Sequence, residues 1–413
     1  MRYQPFTLRF LRLYWGFRLT ASAKWLLGGI FLSGLVGSFS VQVPIYQVFC
    51  ALVGLYVSAW MFSFVMSPKL AISGSLPEMA GVGEIVSADF RVTNLSQRRP
   101  AFDVAVRPLS RPAALCHQNA DETVSRIGAG ETVSIPLRVE PLRRGIHELK
   151  AVGGYSMFPF GLFRRGGARV PARSLLVLPK FHRAAGIDLP LGTRYQPGGI
   201  ALTSDIGESP EYIGNREYVP GEPVRRIDFR AWARSGKPVV REYQEEYYCR
   251  IALILDTHIP RNGREPAGGF PQLEAAISLA ASVADVLSGG EYLLDVFAAG
   301  PELYVFRAGR HTAHLENVLE ILACLDPCRE NPFETVAPPL AEELQNITTT
   351  VCVFLDWDES RRKLARTIVE SGCQLKALIV RDAETTAPLD LPGGSDCTLF
   401  STQQIVDGGF EVL

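Results

Sequence analysis

The sequence predicts a multidomain fold: a transmembrane α-hairpin, then an antiparallel β-sandwich, then a doubly wound α/β domain. Three observations predict it. Two apolar runs of about 20 residues lie near the N-terminus, at 25–43 and 45–66. Short alternating stretches fill 70–181, and from residue 251 apolar strands alternate with helical segments. A chain of 413 residues has room for two or three domains.

The composition bears on partners and on compartment. Charged residues make up 21% of the chain and the formal net charge is −1. A nucleic-acid-binding protein would be expected to carry a basic excess, so we expect no nucleic-acid partner. The eight cysteines are scattered, and two of them, Cys50 and Cys352, lie inside apolar runs. This pattern indicates reduced, buried thiols in a cytosolic compartment rather than a disulfide framework.

The first 66 residues are predicted to anchor the chain in a membrane. Residues 1–24 form a basic N-terminus that contains no acid, which favours a cytoplasmic location for it. Residues 25–66 form the hairpin, since each run could cross a hydrocarbon core of about 30 Å. A cleaved signal peptide and buried soluble helices are the alternatives, and the immediate second run argues against both. The soluble domains should then face the cytoplasm.

Residues 70–181 are predicted to form the β-sandwich. Period-two alternation at 85–94 and 132–139 is separated by turn signals such as the glycines at 128–131. A compact aromatic loop follows at 156–163. It is either a partner-docking patch or, more simply, a hydrophobic plug that seals the end of the sandwich. Residues 182–250 then contain a linker and a highly charged central segment.

Residues 251–413 are predicted to form a mostly parallel sheet covered by helices on both faces. Asp358 is placed to cap a helix over 359–371, and Gly372 to end it. The remaining predicted elements are strands at 251–256, 292–298, 303–307, 350–355, 374–380 and 398–400 and helices at 271–288, 311–325 and 334–345.

Two carboxylates stand directly after apolar strands, where such sheets bind ligands. They are Asp256 and Asp356, and Asp358 follows closely. Mg2+ would require several oxygen ligands in near-octahedral geometry, but His258 and Pro260 occupy the positions after Asp256 where serines would help. We expect these acids to accept backbone N–H bonds and fix their loops. A magnesium site is the alternative.

Other catalytic signals are weak. His311 and His314 lack a third metal ligand nearby, and Cys324 and Cys328 lack a second pair with zinc spacing. The sequence contains neither a phosphate-binding loop of Walker type nor a G-x-S-x-G nucleophile elbow. We therefore expect no catalytic residues and no cofactor.

The central segment, 216–246, mixes both signs of charge with apolar and aromatic residues. An ion-pair network is the default expectation for such a segment, and an anion-binding patch is the alternative. Its basic residues are Arg216, Arg225, Arg226, Arg230, Arg234, Lys237 and Arg241, and its acids are Glu217, Glu222, Asp228, Glu242, Glu245 and Glu246.

This segment resembles the signature of a bacterial membrane-protein family called domain of unknown function 58. The motif residues that carry the resemblance are Arg216, Tyr218, Gly221, Arg226, Asp228, Ala233, Arg234 and Lys237, followed by Arg241 and Glu242. Arg144-Gly145 and the loop at 159–163 resemble the family's other hallmark. Three positions depart from the family pattern: Glu222, Phe229, and the incomplete metal motif after Asp256.

The resemblance implies a von Willebrand factor A-like fold for 251–413 and a place in the bacterial inner membrane. It also implies association with MoxR-type AAA+ ATPases, beside other membrane or envelope proteins. We therefore expect a membrane-anchored, cytoplasm-facing adaptor or assembly factor that works with such an ATPase. It would bind through an A-type domain whose metal site is degenerate, with the central motif as an organising network at or near the interface. The alternatives are a metal-dependent hydrolase that uses Asp256, Asp356 and Asp358, and a purely structural envelope protein.

Overall fold

A computed structural model gives the fold. It describes residues 18–39, 43–109, 112–118, 122–149, 151–171, 174–190, 212–220, 224, 227–243, 249–260, 266, 268–289, 292–299, 303–307, 315–344, 347–391, 393 and 395–413. The chain divides into two compact units. The first comprises Met1–Phe181, Gly263–Ser278 and Leu319–Leu325, and the second comprises His182–Asn262, Leu279–Val318 and Asp326–Leu413.

Two helices begin the first unit, α1 (Ala21–Phe39) and α2 (Val43–Val65). Both are long and apolar enough to cross a membrane, and only 11% of each apolar window is buried. Trp25, Phe31 and Phe39 are 82%, 73% and 87% exposed. The core helix of a soluble protein would bury such side chains. These helices therefore could span a membrane, as the apolar runs predict.

The rest of the first unit is rich in β-structure. One antiparallel sheet has the order β1-β3-β7-β5, a second has the order β10-β9-β4-β6, and a third, β2-β11-β8, includes a parallel pair. The strands are β1 (Leu70–Ser73), β2 (Met79–Gly81), β3 (Val86–Asn94), β4 (Ala101–Pro108), β5 (Leu115–His117), β6 (Val124–Ile127), β7 (Thr132–Pro141), β8 (Gly145–Glu148), β9 (Ala151–Ser156), β10 (Arg165–Pro171) and β11 (Ser174–Leu178).

One hydrophobic core serves these sheets. Phe90 of β3 and Leu137 of β7 lie in the same buried cluster as Val104 of β4 and Val152 of β9. Burial alternates strictly along most of β3, because successive side chains of a strand point to opposite faces. The predicted antiparallel, alternating character is confirmed for two sheets. The parallel pairing of β2 with β11 was not predicted.

The aromatic loop at 156–163 packs elsewhere. Leu162 and Phe163 are buried in a separate cluster with Leu19, Ala23 and Ala59, which come from α1, α2 and the residues just before α1. The prediction that the loop plugs the sandwich is therefore wrong for these two residues. The sequence could not show that the hairpin itself supplies an apolar surface for them.

The second unit contains a six-stranded sheet of order β16-β15-β14-β17-β18-β19. All neighbours are parallel except β15 and β16. The elements after residue 181 are β12 (Tyr212–Glu217), α3 (Phe229–Ser235), β13 (Val239–Tyr243), β14 (Cys249–Asp256), α4 (Pro271–Ser288), β15 (Tyr292–Ala299), β16 (Leu303–Arg307), α5 (Leu315–Cys324), α6 (Phe333–Glu343), β17 (Thr349–Phe354), α7 (Glu359–Glu370), β18 (Gln374–Val380), β19 (Asp396–Phe400) and α8 (Thr402–Asp407). The start of α4, up to Ser278, and the end of α5, from Leu319, belong to the first unit.

Most predicted elements of this region are confirmed within one to three residues. The six residues of β17 are all buried, as expected of a parallel strand covered on both faces. Asp358 caps α7 by accepting from the Arg361 N–H. The helix α8 was not predicted. His311 and His314 lie outside the described residues.

The described cysteines are free thiols, in line with the expected lack of a disulfide framework. Their predicted burial holds for Cys328, Cys352 and Cys373 but is wrong for others. The exposed ones are Cys50, Cys116 and Cys324. Cys50 lies on α2, whose apolar surface faces outward, so an apolar run in the sequence did not mean a protein interior.

Arg144 connects separate segments within the first unit. Its Nε donates to the Leu322 carbonyl at 3.1 Å and its Nη2 to the Leu325 carbonyl at 2.7 Å. It also forms an ion pair with Glu274. Since α5 ends at Cys324, these are carbonyls that a helix terminus leaves without intrahelical partners. Arg144, only 4% exposed, thus satisfies a helix end across a long sequence separation.

Candidate interaction site and strand-end acids

The central motif is built on a two-stranded antiparallel pair. Strand β12 pairs with β13 so that Arg216 lies opposite Val240 and Glu217 opposite Val239. The Tyr218 N–H donates to the Pro238 carbonyl at 2.9 Å. Val239 and Val240 are 9% and 1% exposed, so β13 is the buried strand of the motif.

The short helix α3 lies between these two strands in the sequence, and a capping residue stands at each of its ends. The Asp228 carboxylate accepts from the Arg230 and Ala231 N–H groups at 2.9 and 3.1 Å. Gly236 ends the helix with a φ of 71°, a conformation that glycine adopts without steric cost. The Asp228 N–H donates to the Val239 carbonyl at 2.9 Å. The backbone thus ties the helix start to β13.

This helix buries none of its residues. Phe229 and Trp232 are 61% and 37% exposed, and their rings stack with centroids 6.1 Å apart. Residues three apart on a helix lie on the same face. The exposed aromatic face, defined as Phe229 and Trp232, is therefore an ordered apolar surface on a capped helix. Arg230 and Arg234, both exposed, lie four residues apart on the same helix.

One ion pair of the predicted network is visible in the described residues. The Lys237 Nζ lies 2.8 Å from the Glu217 Oε1. This hydrogen bond and the charge of Lys237 lower the pKa of Glu217, and the reciprocal contact raises the pKa of Lys237. Both side chains are exposed, and such pairs contribute little to stability.

The motif residues are only partly described. Arg216, Tyr218, Asp228, Ala233, Arg234 and Lys237 come together on the β12–α3–β13 unit. Arg241 and Glu242 are placed by their backbone, opposite Asn215 and Gly214. Gly221 and Arg226 lie outside the described residues, as do Arg225, Glu222, Glu245 and Glu246.

The structure places Asp256 at the carboxyl end of β14, where it is fully buried. Its Oδ1 accepts from the His258 N–H at 2.8 Å and its Oδ2 from the Leu355 N–H at 3.0 Å. The Arg361 Nε also donates to Oδ2, at 2.7 Å. The expected loop-fixing role is confirmed, and the guanidinium is an additional partner.

Arg361 occupies the place beside Asp256 that a cation would need. It is 3% exposed, its Nη1 lies 2.6 Å from the Asp358 Oδ2, and its Cζ lies 5.0 Å from the Phe333 ring centroid. Burial acts to lower the pKa of Arg361, but the charges and hydrogen bonds of Asp256 and Asp358 outweigh it and raise that pKa. The site therefore carries an internal, fixed positive charge.

Asp356 follows β17 and lies in a second polar cluster. It accepts from the Trp357 N–H at 2.7 Å and from Thr386 through its N–H at 3.1 Å and its Oγ1 at 2.6 Å. It also forms an ion pair with Arg381. Partial burial acts to raise the pKa of Asp356, but the Thr386 bonds, the Trp357 bond and Arg381 together lower it.

These residues do not fit a magnesium site. Within the described part of the chain, no group of three His, Cys, Asp or Glu side chains could hold a metal ion. Both Asp256 oxygens already have partners, and Arg361 would repel a divalent cation. The loop after β14 is also held by backbone bonds, since the Cys328 N–H donates to the Thr257 carbonyl at 2.8 Å.

Sequence reasoning missed two features of these sites. The exposed aromatic face was not singled out, although Asp228 before it and Gly236 after it form a recognisable cap signature. Arg361 was not connected with Asp256, and no signal in the sequence links residues 105 positions apart.

Comparison with known proteins bears on the central segment. No curated protein matches the chain. Residues 214–386 match the family described as "Protein of unknown function DUF58". The matched interval contains most of β12, all of α3 and β13, and both strand-end acids, and it excludes α1, α2 and the β-rich sheets. The match supports the resemblance seen in the sequence, and the segment 214–386 is similar to the DUF58 family.

Proposed function

We propose that the protein is a membrane-anchored adaptor that binds a partner protein through the exposed aromatic face of α3. The observation that carries the proposal is the exposure of Phe229 and Trp232 on a helix that both caps hold in place. Aromatic side chains that face water bury little apolar surface. Aromatic and arginine residues are, however, enriched at the energetic centres of protein interfaces. The helix thus has the composition of a docking surface.

Charge indicates the kind of partner. Arg230 and Arg234 lie one turn apart on α3 and are exposed. Complementary charge across an interface steers association and rejects wrong partners. A partner with an acidic rim around an apolar pocket would match this helix. The family resemblance supplies the candidate, a MoxR-type AAA+ ATPase.

The proposed anchor is the hairpin of α1 and α2. Its exposed apolar surface would lie in the bacterial inner membrane. The basic residues before α1 would remain in the cytoplasm, and both units beyond the hairpin would face the same side. From this position the protein would also contact other membrane or envelope proteins.

The proposed fold of the second unit is von Willebrand factor A-like, supported by the parallel strands β14, β17, β18 and β19 and the helices between them. In this proposal Arg361 takes the position of a metal beside Asp256. Partner binding would then not depend on a divalent cation. The metal-dependent hydrolase remains the rival function, and it requires Asp256 to release Arg361.

The test is a binding measurement on the full-length protein in lipid nanodiscs. The intact protein first recovers partners from membranes of the native cell, and a recovered AAA+ ATPase is purified. Affinity is then compared with the Phe229→Ala/Trp232→Ala variant. Losing such anchors should cost about 2 kcal/mol or more, or about 30-fold in Kd. The matched control is Ile146→Ala/Leu399→Ala, which truncates two apolar side chains that are 61% and 50% exposed.

Three results would decide against this function. Recovery of no ATPase by the intact protein favours the structural envelope protein. Equal binding by the α3 variant and the control removes the exposed aromatic face from the interface. A metal-dependent hydrolytic activity that Asp256→Asn abolishes in a folded protein favours the hydrolase.

A further inference from the structure

We propose that the loop at 157–163 is a third membrane-contacting element, and that its exposed Phe160 inserts into the interfacial layer of the bilayer. The inference rests on the proposed insertion of α1 and α2. It concerns a different surface from the exposed aromatic face of α3, and its occupant is lipid rather than protein.

The loop is bonded to the start of the first helix. The Thr20 N–H and Oγ1 both donate to the Leu162 carbonyl, at 3.2 and 3.1 Å. Leu19 forms an isolated β-bridge with Phe163. Thr20 is the residue directly before α1. Leu162 of the loop therefore lies beside the N-terminal end of that helix.

The last residue of the loop, Phe163, and the nearby Arg165 contact the C-terminal half of the second helix. The rings of Phe163 and Tyr56 meet edge to face with centroids 5.2 Å apart. The Arg165 Nε donates to the Ser63 Oγ at 3.2 Å, and its Cζ lies 3.8 Å from the Phe64 ring centroid. Both helices therefore fix the position of the loop relative to the hairpin.

The length of α1 places its N-terminal end at the edge of the hydrocarbon core of the bilayer. The 19 residues of α1 span about 28 Å at 1.5 Å per residue, close to the ~30 Å hydrocarbon core. Trp25 and Trp60 are 82% and 43% exposed and lie about 8 Å or less from the helix ends. Exposed tryptophans concentrate at membrane–water interfaces. Thr20, and with it Leu162, should lie near this boundary.

Phe160 lies within reach of the boundary. It stands two residues before Leu162, so their Cα atoms are at most about 7 Å apart. The interfacial layer on each side of a bilayer is about 5–7 Å thick, from a total thickness of about 40–45 Å. The loop backbone at Leu162 and the Phe160 ring can therefore occupy the same layer.

Burial within the protein does not explain the position of the Phe160 side chain. The side chain is 64% exposed although Leu162 and Phe163, its neighbours in the loop, are 6% and 1% exposed. Its φ is 63°, a conformation that costs energy for a bulky residue. An interfacial lipid layer would offset that cost by taking up the ring, because aromatic residues are favoured there.

The test places a fluorescent probe at three positions of the full-length protein in nanodiscs of phosphatidylcholine and phosphatidylglycerol. Cysteine replaces Phe160, Ile146 or Leu32, in a background where the exposed Cys50, Cys116 and Cys324 are changed to alanine or serine. An environment-sensitive nitrobenzoxadiazole label is attached. The same background without an added cysteine gives the residual signal. Quenching by shallow doxyl-labelled lipid and by aqueous iodide is then measured.

Position 146 is the matched control, since Ile146 on β8 is 61% exposed. Position 32 lies on α1, where Leu32 is 61% exposed, and it reports on the hairpin. We expect the label at 160 to be blue-shifted, quenched by shallow doxyl lipid and protected from iodide, and the label at 146 to behave oppositely.

Two outcomes overturn the proposal and are distinguishable. A label at 160 that iodide quenches as strongly as the label at 146, while the label at 32 responds to doxyl lipid, refutes the loop contact and leaves the hairpin inserted. Iodide access at both 160 and 32 refutes the membrane insertion as well. If Phe160→Cys elutes as an aggregate, Met157→Cys on the same loop carries the label and the same criteria apply.

Discussion

Replacing Arg361 by methionine should strongly destabilise the second unit. The variant keeps an unbranched side chain against Phe333 but removes the guanidinium beside Asp256. Asp256 is fully buried and would retain only the His258 and Leu355 N–H groups. Breaking a buried ion pair by removing one partner costs about 3–5 kcal/mol. The two remaining backbone bonds place the expected loss toward the lower end of that range.

The magnitude can be read as a melting temperature of the full-length protein in detergent. For a unit of about 200 residues, 1 kcal/mol corresponds to about 2–4 °C, so the expected decrease is roughly 6–12 °C for a loss near 3 kcal/mol. Intrinsic fluorescence and circular dichroism would follow the transition. Asp256→Asn should cost less than Arg361→Met, because Arg361 keeps Asp358 as a charged partner.

The double variant Asp256→Asn/Arg361→Met isolates the pair. It should melt higher than Arg361→Met alone, because no unpaired buried charge remains. A change below about 2 °C for Arg361→Met, or a rise in the melting temperature of the unaltered protein on adding Mg2+, would contradict the argument that Arg361 replaces a metal here.

Three further predictions test other contacts. Asp228→Ala removes the α3 cap and should cost about 1 kcal/mol, while weakening partner binding in the nanodisc assay; Asp228→Asn should restore most of both. Arg144→Ala leaves the Leu322 and Leu325 carbonyls without their donor and the part-exposed Glu274 without its partner. It should lower the melting temperature by an amount that corresponds to about 1–3 kcal/mol, whereas an unchanged transition would show that these contacts contribute nothing. The pKa of Asp356 is lowered in the folded protein, so its contribution is present above the ordinary Asp value of about 3.9 and is lost as pH falls through the lower folded value. Asp356→Asn should therefore flatten the acid limb of stability against pH, and an unaltered limb would show that other carboxylates control it.

The sequence predicted the α/β region well because each element there is coded locally. Helix α4 has the predicted bounds, since an alanine-rich run ends at two glycines. Strands β14 and β17 read as short apolar runs, and Asp358 has the helix-capping role that its position predicts. The three-stranded sheet was missed because the pairing of β2 with β11 joins residues about 100 positions apart, and strand partners are not coded in either strand alone.

The candidate site likewise contains residues that the local sequence identifies and contacts that only the fold shows. Asp256 was found from its place after an apolar strand, but its partner was not. The central motif was recognised as a charged segment, while the exposure of Phe229 and Trp232 was not expected, because an aromatic residue in a sequence is more often buried. Exposure depends on what the rest of the chain covers, and here the described residues leave Phe229 and Trp232 61% and 37% exposed.

The sequence by itself determined the properties that depend on neighbouring residues: two helices long enough to cross a membrane, alternating strands after them, and a capped, parallel α/β region. Tertiary structure decided which distant groups meet. It placed Arg361 against Asp256, Arg144 against the end of α5, and Leu162 and Phe163 against the hairpin. Local periodicity and capping arise from steric and hydrogen-bonding rules along the chain, whereas these contacts depend on which surfaces the complete fold brings together.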